Sequence, residues 1–255
     1  MSTITLTFQV VGGKQKRSKH VTSTTRIDLS LRQIMTIDLA PLQQCTRLQT
    51  LGLYSNQLES IDLSFLPYTP HFQYLWLQGN TLSSIDLSLL RHCREFRTLW
   101  LHGNRLTTID LSPLQHCPNL QSVWVSANQL TTVDLGPLQH CTKLVSLGLH
   151  DNQLSALDLR PLKSCTQLRD LYIAGNQLEA LNLTPLESLT RLEYLSFQGN
   201  PLKELDISPL YSCLGLDRIV TSKTVKLYAQ SRLQKSDKVP KAITRLVEEG
   251  RVKWR

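Results

Sequence analysis

The sequence predicts an α/β solenoid, a curved stack of about eight copies of one short structural unit. Two observations support this prediction. A pattern of alternating leucines recurs along the chain, as in LQTLGLYSNQL at 48–58 and LRDLYIAGNQL at 168–178. An asparagine returns within that pattern at a constant interval, at Asn56, Asn80, Asn104, Asn128, Asn152, Asn176 and Asn200. Periods of roughly 20–50 residues are typical of stacked-repeat architectures.

Each repeat begins with a short strand, which the L-x-L pattern predicts. The two leucines point into the core, and the residue between them points outward. Successive strands then form a parallel sheet on the concave face, with neighbouring strands about 4.8 Å apart. The asparagine lies where the strand ends, and we expect its amide to bond backbone groups that the turn leaves unpaired.

The second half of the repeat, I-D-L-S-P-L, predicts an extended segment followed by a short helix or 3-10 turn on the convex face. Ser112 and Pro113 are interpreted as an N-cap and a first helical residue. A ladder of acidic residues precedes these turns: Asp38, Asp62, Asp86, Asp110, Asp134, Asp158 and Asp206, with Asn182 in one place. We expect each to accept a hydrogen bond from the following turn. Because Asn182 interrupts the ladder, a calcium ladder is the weaker alternative.

These motifs resemble the leucine-rich repeat family, whose signature L-x-x-L-x-L-x-x-N-x-L recurs seven times in register over residues 26–218. An eighth, degenerate copy starts at Ile27 and has Arg32 where asparagine is expected. The resemblance implies a solenoid, since no single repeat can bury its leucines alone. It also implies a protein partner, because the concave face of family members most often binds another protein.

The two ends of the chain are predicted to cap the stack, as repeat proteins require. Residues 1–25 carry a net charge of +4 and residues 219–255 carry +7, while the remainder carries −3. At the N-terminus, TITLTFQVV is expected to pair with a segment near 20–29 as a hairpin around GGKQKRSKH. At the C-terminus, a helix near 240–249 should turn four residues toward the last repeat: Ala242, Ile243, Leu246 and Val247.

Six cysteines share one repeat position: Cys45, Cys93, Cys117, Cys141, Cys165 and Cys213. Leu189 occupies the same position in another repeat, which indicates a small apolar core site. A ladder of single residues also lacks the close spacing of metal ligands. We therefore expect buried reduced thiols, with no metal and no cofactor. Catalytic motifs such as G-x-S-x-G and H-E-x-x-H do not occur, which favours a non-enzymatic protein.

The residues between the strand leucines are expected to line the concave face: Asp28, Gly52, Trp76, Trp100, Trp124, Gly148, Tyr172 and Ser196. Three tryptophans thus lie on adjacent strands, and the surface is expected to drop away at the two glycines. Neighbouring positions add further side chains to this face: Tyr54, Tyr74, Tyr194, His102, His150, Asp151 and Asp170. We expect hardly any lysine or arginine here.

Exposed aromatic patches mark interaction sites, and Trp and Tyr dominate binding hot spots. The sequence therefore predicts a protein-binding face with three anchors, Trp76, Trp100 and Trp124. The supporting residues are Tyr54, Tyr74, His102, His150, Asp151, Asp170, Tyr172 and Tyr194. The structural alternative is that the indoles only stabilise the sheet, at roughly 0.2–1 kcal/mol per cross-strand pair.

The sequence leaves several further functions open. The basic termini suit nucleic acid, the tryptophans suit a glycan or peptide, and the same face suits a dimer as well as a monomer. A membrane-spanning helix needs an apolar run of about 20 residues, and no such run occurs, so no span is expected. The N-terminal charges follow the apolar stretch, the reverse of a secretory signal, which predicts a cytoplasmic location.

Overall fold

The fold is built from short strands and 3-10 helices in a computed structural model that describes residues 2–255. The strands are β1 (Thr3–Val10), β2 (Gln15–Val21), β3 (Arg26–Asp28), β4 (Ile34–Asp38), β5 (Thr50–Gly52), β6 (Tyr74–Trp76), β7 (Thr98–Trp100), β8 (Ser122–Trp124), β9 (Ser146–Gly148), β10 (Asp170–Tyr172), β11 (Tyr194–Ser196), β12 (Glu204–Asp206), β13 (Arg218–Val220), β14 (Lys226–Ala229) and β15 (Val252–Trp254). The 3-10 helices are Ala40–Gln44, Leu66–Tyr68, Ser88–His92, Ser112–His116, Gly136–His140, Arg160–Ser164, Thr184–Ser188, Ser208–Ser212 and Ser231–Lys235. One α-helix, α1, spans Lys241–Glu248.

Nine strands form one parallel sheet in the order β13-β11-β10-β9-β8-β7-β6-β5-β3. Equivalent residues of successive repeats pair in register, so Trp76 lies beside Trp100 on neighbouring strands. The degenerate copy joins the same sheet, since Ile27 pairs with Leu51. The solenoid predicted from the repeats is therefore confirmed. Its sheet runs slightly further than the sequence indicates, because β13 crosses the expected boundary at residue 218 and pairs with β11.

The core lies between this sheet and the row of 3-10 helices. Strand leucines such as Leu75 and Leu99 are completely buried, as is Leu114 from the opposite wall. At about 25 cal/mol per Å² of apolar area, stacked leucines supply the main driving force for the fold. The cysteines line the same core as free, buried thiols. Burial raises the pKa of the Cys117 thiol to about 12, so it stays protonated.

An asparagine ladder runs through the buried edge of the sheet, where the strands end. Asn128 shows the pattern: its amide nitrogen donates to the carbonyl oxygens of Leu101 and Val125, each at 3.0 Å. Its Oδ1 accepts the N–H of Leu106 at 2.9 Å. Each asparagine thus joins its own repeat to the preceding one, and the bonds to backbone groups that the sequence predicts are present.

The residue before each asparagine adopts left-handed backbone, which explains the glycines of the QGN and HGN motifs. Gly79 has φ +66° there, and the same position is filled by Ala127 at +50° and Asp151 at +54°. Non-glycine residues are strained in this region, although Asp tolerates it better than Ala. The repeat geometry therefore imposes the conformation of Asp151, whatever else its carboxylate does.

The aspartate ladder caps the convex turns, and here one sequence interpretation is wrong. Asp110 Oδ1 accepts the backbone N–H of Ser112 at 2.8 Å, as expected. Ser112 is not an N-cap, however, because it is already the first residue of its 3-10 helix and Leu111 holds the capping position without a side-chain bond. The Ser112 hydroxyl instead donates to Asp110 Oδ2 at 2.9 Å. The aspartate two residues earlier satisfies the first free N–H, which leaves the serine no capping role.

The N-terminal cap is an antiparallel hairpin of β1 and β2, extended by β4. Its second strand is Gln15–Val21 rather than the segment near 20–29, because Gly12 and Gly13 turn the chain immediately after β1 with φ of +85° and +77°. Three of the four basic residues that we expect in the loop, Lys16, Arg17 and Lys19, therefore lie on the strand. Alternate residues of β1, including Leu6 and Phe8, are buried against the first repeat.

The C-terminal cap combines a small parallel sheet, β12-β14-β15, with α1. Ala242, Ile243 and Leu246 are buried against the solenoid, but Val247 is 37% exposed, contrary to the sequence expectation. Successive residues turn by about 100° around a helix, which places Val247 at the edge of the face that the other three share. None of the helices in residues 2–255 has the length and apolarity needed to cross a membrane.

Candidate functional site

The concave sheet carries a continuous row of ring side chains, which we call the aromatic ridge. It comprises Tyr74, Trp76, Trp100, His102, Trp124, His150, Tyr172 and Tyr194, all of them half-buried. Alternation along the L-x-L strands turns these residues away from the core, where the flanking leucines are buried. The tryptophans therefore lie on the surface of the sheet, in the direction that the sequence predicts.

Neighbouring rings of the ridge touch one another along its whole length. Trp76 and Trp100 are stacked with their centroids 5.8 Å apart. His102 lies edge-on between Trp100 and Trp124, 6.4 and 6.0 Å from them. Tyr172 and Tyr194 continue the row at 4.7 Å. Such contacts contribute about 0.5–1.5 kcal/mol per pair beyond area burial, so the ridge holds its own shape.

The surface does not drop away at Gly148, where the sequence suggests a gap. A Cβ added to Gly148 would lie 2.6 Å from Cε3 of Trp124, so the indole occupies the space above this glycine. From there Trp124 reaches Tyr172 two strands away, with ring centroids 4.9 Å apart. The missing side chain of Gly148 thus admits a neighbouring indole and makes the ridge continuous.

Gly52 has the same role at the N-terminal end, with a polar neighbour. A Cβ at Gly52 would lie 2.7 Å from Oδ1 of Asp28. Arg26 donates to the Asp28 carboxylate at 2.8 Å, and its guanidinium lies 4.9 Å from the centroid of Trp76. The Arg26–Asp28 salt bridge therefore fills the expected gap, and its guanidinium packs against Trp76.

Two arginines at the ends of the ridge correct the expectation of a face nearly free of basic residues. Arg26 covers Trp76, and the guanidinium of Arg218 lies 5.8 Å from the centroid of Tyr194. Both share the repeat position of Tyr74, so continuing that column of the repeat to both edges of the sheet would have found them. One face of Trp76 meets Arg26 and the other meets Trp100.

Several enclosed polar atoms on the concave face lack a hydrogen-bond partner within residues 2–255. They are Trp76 Nε1, Gln78 Oε1, His102 Nδ1, Ser126 Oγ, His150 Nδ1 and Gln198 Oε1. Apart from Trp76, all belong to the position after the second strand leucine, and Ser126 is only 1% exposed. Buried polar groups are normally satisfied, and each exception needs an explanation. Sequence reasoning did not single out Gln78, Ser126 and Gln198, although they share the repeat position of the two histidines.

The sheet favours the neutral form of the two histidines, because it lowers the pKa of both. Burial lowers the pKa of His102, and the nearby His150 lowers it further. Burial also lowers the pKa of His150, an effect that Asp151 partly offsets. The carboxylate of Asp151 lies 3.9 Å from His150 Nε2. Among the described residues, no three metal-ligating side chains are placed to share an ion.

The remaining predicted site residues differ in how closely they join the ridge. Tyr54 is half-buried on the same sheet but makes no ring contact within the described chain. Asp170 lies beside Tyr194 on the neighbouring strand. Burial raises the pKa of the Asp170 carboxyl, and the charge of Glu193 raises it further. The structure thus brings the predicted residues into one connected surface, with Tyr54 at its margin.

Comparison with known proteins points to one family. A family model described as leucine rich repeat matches residues 94–154 and 142–202. No curated protein matches the sequence. Among solved structures, internalin C2 from Listeria monocytogenes is 25% identical, with 80% of this chain and 85% of that chain covered and a TM-score of 0.65.

Two plant receptor structures share the fold with this chain. The plant peptide hormone receptor RGFR1, solved in complex with RGF2, is 25% identical over 75% of this chain, with a TM-score of 0.66. The LRR ectodomain of the receptor kinase GASSHO1/SCHENGEN3 from Arabidopsis thaliana, solved with Casparian strip integrity factor 2, is 19% identical over 74% of this chain, with a TM-score of 0.65. This chain spans only 30% and 23% of those two chains.

Proposed function

We propose that this chain, which belongs to the leucine-rich repeat family, is a non-enzymatic module that binds another protein on its aromatic ridge. The observation that carries the proposal is the ridge itself, a row of touching, half-buried rings across the concave sheet. Solvent-facing rings in such numbers are costly unless a partner covers them. Repeats of this family commonly serve protein–protein interaction, and one similar structure is a plant peptide hormone receptor in complex with RGF2.

Ring geometry favours a protein over a nucleobase or a sugar. Stacking of a base needs a free aromatic face. Both faces of Trp76 are occupied, by Arg26 and by Trp100. Where rings stack on one another, their edges are the part left toward solvent, and the positive ring edge suits carbonyl groups and side chains of a polypeptide.

The distribution of charge argues against nucleic-acid binding on the ridge. The strongly basic segments of the sequence are 1–25 and 219–255, and neither contains a residue of the ridge. Cations such as Lys16 and Arg17 lie on β2, outside the nine-stranded sheet. Phosphate binding at the caps would therefore leave the aromatic ridge without a role.

The cytoplasmic location is part of this proposal. All six cysteines are free thiols in the core, an arrangement common in reducing compartments. A secreted domain could keep the same buried thiols, so the test is fractionation of the native cell. Oligomeric state is measured in the same preparation by size-exclusion chromatography with light scattering.

Affinity capture from lysate of the source cells tests the proposal. Three samples are compared: wild type, the triple variant Trp76→Ala/Trp100→Ala/Trp124→Ala, and the control Tyr68→Ala. Tyr68 is 52% exposed and lies in a 3-10 helix on the convex side. Each sample is run with and without nuclease. A protein retained by wild type and control but lost by the triple variant supports the proposal.

Two results would contradict it. Nucleic acid that persists in the triple variant would move the function to the basic caps. Wild-type chain that captures only its own copies, through the ridge, would replace the heterologous partner with a dimer.

A further inference from the structure

One half-buried carboxylate on the concave face, that of Asp170, has no partner. Asp28 pairs with Arg26 at 2.8 Å, and Glu193 pairs with Arg169 at 3.0 Å. Within residues 2–255, Asp170 makes no salt bridge and no side-chain hydrogen bond. A partly buried, unpaired charge is unfavourable, so this position is poised to accept a cation.

The surroundings of Asp170 suit the body of a long basic side chain. Strand pairing places Ser146 on one side of Asp170 and Tyr194 on the other. Tyr172 points to the same face two residues later. Ser146, the neighbour of Asp170 on the preceding strand, has one of the smallest side chains of its column, so the surface is low beside the carboxylate. Aromatic walls and a low floor can hold the methylene groups of lysine or arginine.

Cations of this chain do not fill the position. Arg169 points to Glu193, and its charge lowers the Asp170 pKa without a direct bond. Arg218 lies over the far ring, Tyr194, at 5.8 Å. The neighbouring guanidinium groups are thus engaged elsewhere, and the Asp170 carboxylate remains open to a cation from outside the chain.

We propose that the ridge recognises its partner through a basic side chain, preferably arginine, that inserts beside Asp170 and against Tyr172 and Tyr194. The identity of the partner as a protein rests on the proposed function, while the cation site stands on the geometry around Asp170. A guanidinium can bond the carboxylate in bidentate fashion while the methylene groups of the same side chain pack against the edges of the two rings. Lysine offers only a point charge, so it should bind less well.

The probe is N-acetyl-arginine amide, titrated into the full chain and followed by the backbone NMR shifts of residues 170–172 and by tryptophan fluorescence. The neutral isostere N-acetyl-citrulline amide and N-acetyl-lysine amide are titrated in parallel. We expect saturable shifts with the arginine compound, smaller shifts with lysine and none with citrulline. Asp170→Asn should weaken the arginine compound about tenfold, as loss of a charge-assisted bond predicts.

A matched control is Glu179→Gln, which removes the same charge from an exposed acid away from the ridge. Glu179→Gln should leave the titration unchanged. The inference is overturned by the absence of saturable shifts with the arginine compound, by equal shifts with arginine and citrulline, or by equal affinity in wild type and Asp170→Asn. Thermal unfolding of each variant verifies that it is folded.

The two proposals fail in different ways. A captured protein that is lost by the triple tryptophan variant but kept by Asp170→Asn would overturn the cation site and leave the proposed function intact. If arginine binding depends on Asp170 but the tryptophan changes do not affect capture, the proposed function is overturned and the cation site stands.

Discussion

The asparagine ladder and the aromatic ridge recur with the same repeat but differ in burial and in hydrogen bonding. Each asparagine is 5–8% exposed, and its amide bonds backbone groups of two repeats. The ridge is half-buried, and enclosed polar atoms in and beside it lack partners within the described chain. Periodicity alone thus identifies the positions that are constrained. Whether their polar groups are hydrogen-bonded within the chain distinguishes a role in stability from a role in binding.

The difference separates structure from recognition. A fully bonded interior ladder leaves nothing for a partner to add, so its residues serve stability. The ridge holds its rings in place by contact but leaves their edges open and one carboxylate unpaired. Substitutions in the two regions should therefore separate loss of folding from loss of binding.

The largest effect is expected inside the asparagine ladder, from Asn128→Ala. The change leaves the N–H of Leu106 without a partner and removes one of the two amide donors to the carbonyl oxygens of Leu101 and Val125. Asn104 still donates to Leu101, and Asn152 still donates to Val125. The unsatisfied N–H costs about 1–3 kcal/mol and each of the two lost amide bonds about 0.5–1.5 kcal/mol, so the free energy of unfolding should fall by about 3 kcal/mol. Urea unfolding followed by circular dichroism measures it.

The control for this change is Gln129→Ala, which removes the amide of the next residue along the chain. Gln129 is exposed, and its side chain makes no hydrogen bond within residues 2–255. Its loss should change the free energy of unfolding by less than about 0.5 kcal/mol. Equal losses in the two variants would show that the ladder has no special part in stability.

Trp100→Ala should instead act on binding. Removal of this central anchor is expected to cost at least about 2 kcal/mol of affinity for the captured partner, measured by calorimetry. Loss of its stacking on Trp76 and its bond to Ser122 should lower stability by only about 1 kcal/mol. A variant that unfolds at much lower temperature but binds normally would show that the ridge is structural.

Gly148→Ala tests whether the ridge is continuous. The new methyl group would lie 2.6 Å from Trp124, so the indole must move away from Tyr172. Overpacking of this kind costs about 1–3 kcal/mol of stability. Tryptophan fluorescence should shift to the red as Trp124 becomes more exposed.

Gly136→Ala is the matched control, because the nearest neighbour of its new methyl group is the Asp134 carboxylate at 3.0 Å on the convex side. This variant should keep the wild-type emission spectrum. An unchanged spectrum in Gly148→Ala as well would contradict the packing of Trp124.

The smallest effect is a gain of stability in Asp170→Asn. Burial and Glu193 raise the folded-state pKa of Asp170 above its ordinary value of 3.8. Above the folded pKa the cost of the unpaired charge is fully present, and it disappears as the pH falls through that pKa toward 3.8. The variant should therefore melt at higher temperature than wild type at pH 7, and the two melting curves should converge in acid. A melting difference that is independent of pH would contradict this account.

Much of the architecture could be predicted because it depends on contacts within one repeat or between adjacent repeats. L-x-L places leucines inward, asparagine supplies the bonds between repeats, and Asp110 caps its turn, all through contacts within one repeat or with the next. The list of ridge residues followed from the same alternation. Local rules fail where two side chains compete for one role, as at Ser112, where the preceding aspartate satisfies the free N–H.

By itself, the sequence determined the repeat, the parallel sheet and the outward direction of the tryptophans, since these depend on backbone periodicity. Only the tertiary structure decided how side chains from different repeats share space. Trp124 fills the space above Gly148, and Arg26 covers Trp76. The carboxylate of Asp170 forms no salt bridge, whereas the neighbouring Arg169 and Glu193 pair with each other. Side-chain packing depends on rotamers and on neighbours one and two repeats away, and no single repeat contains that information.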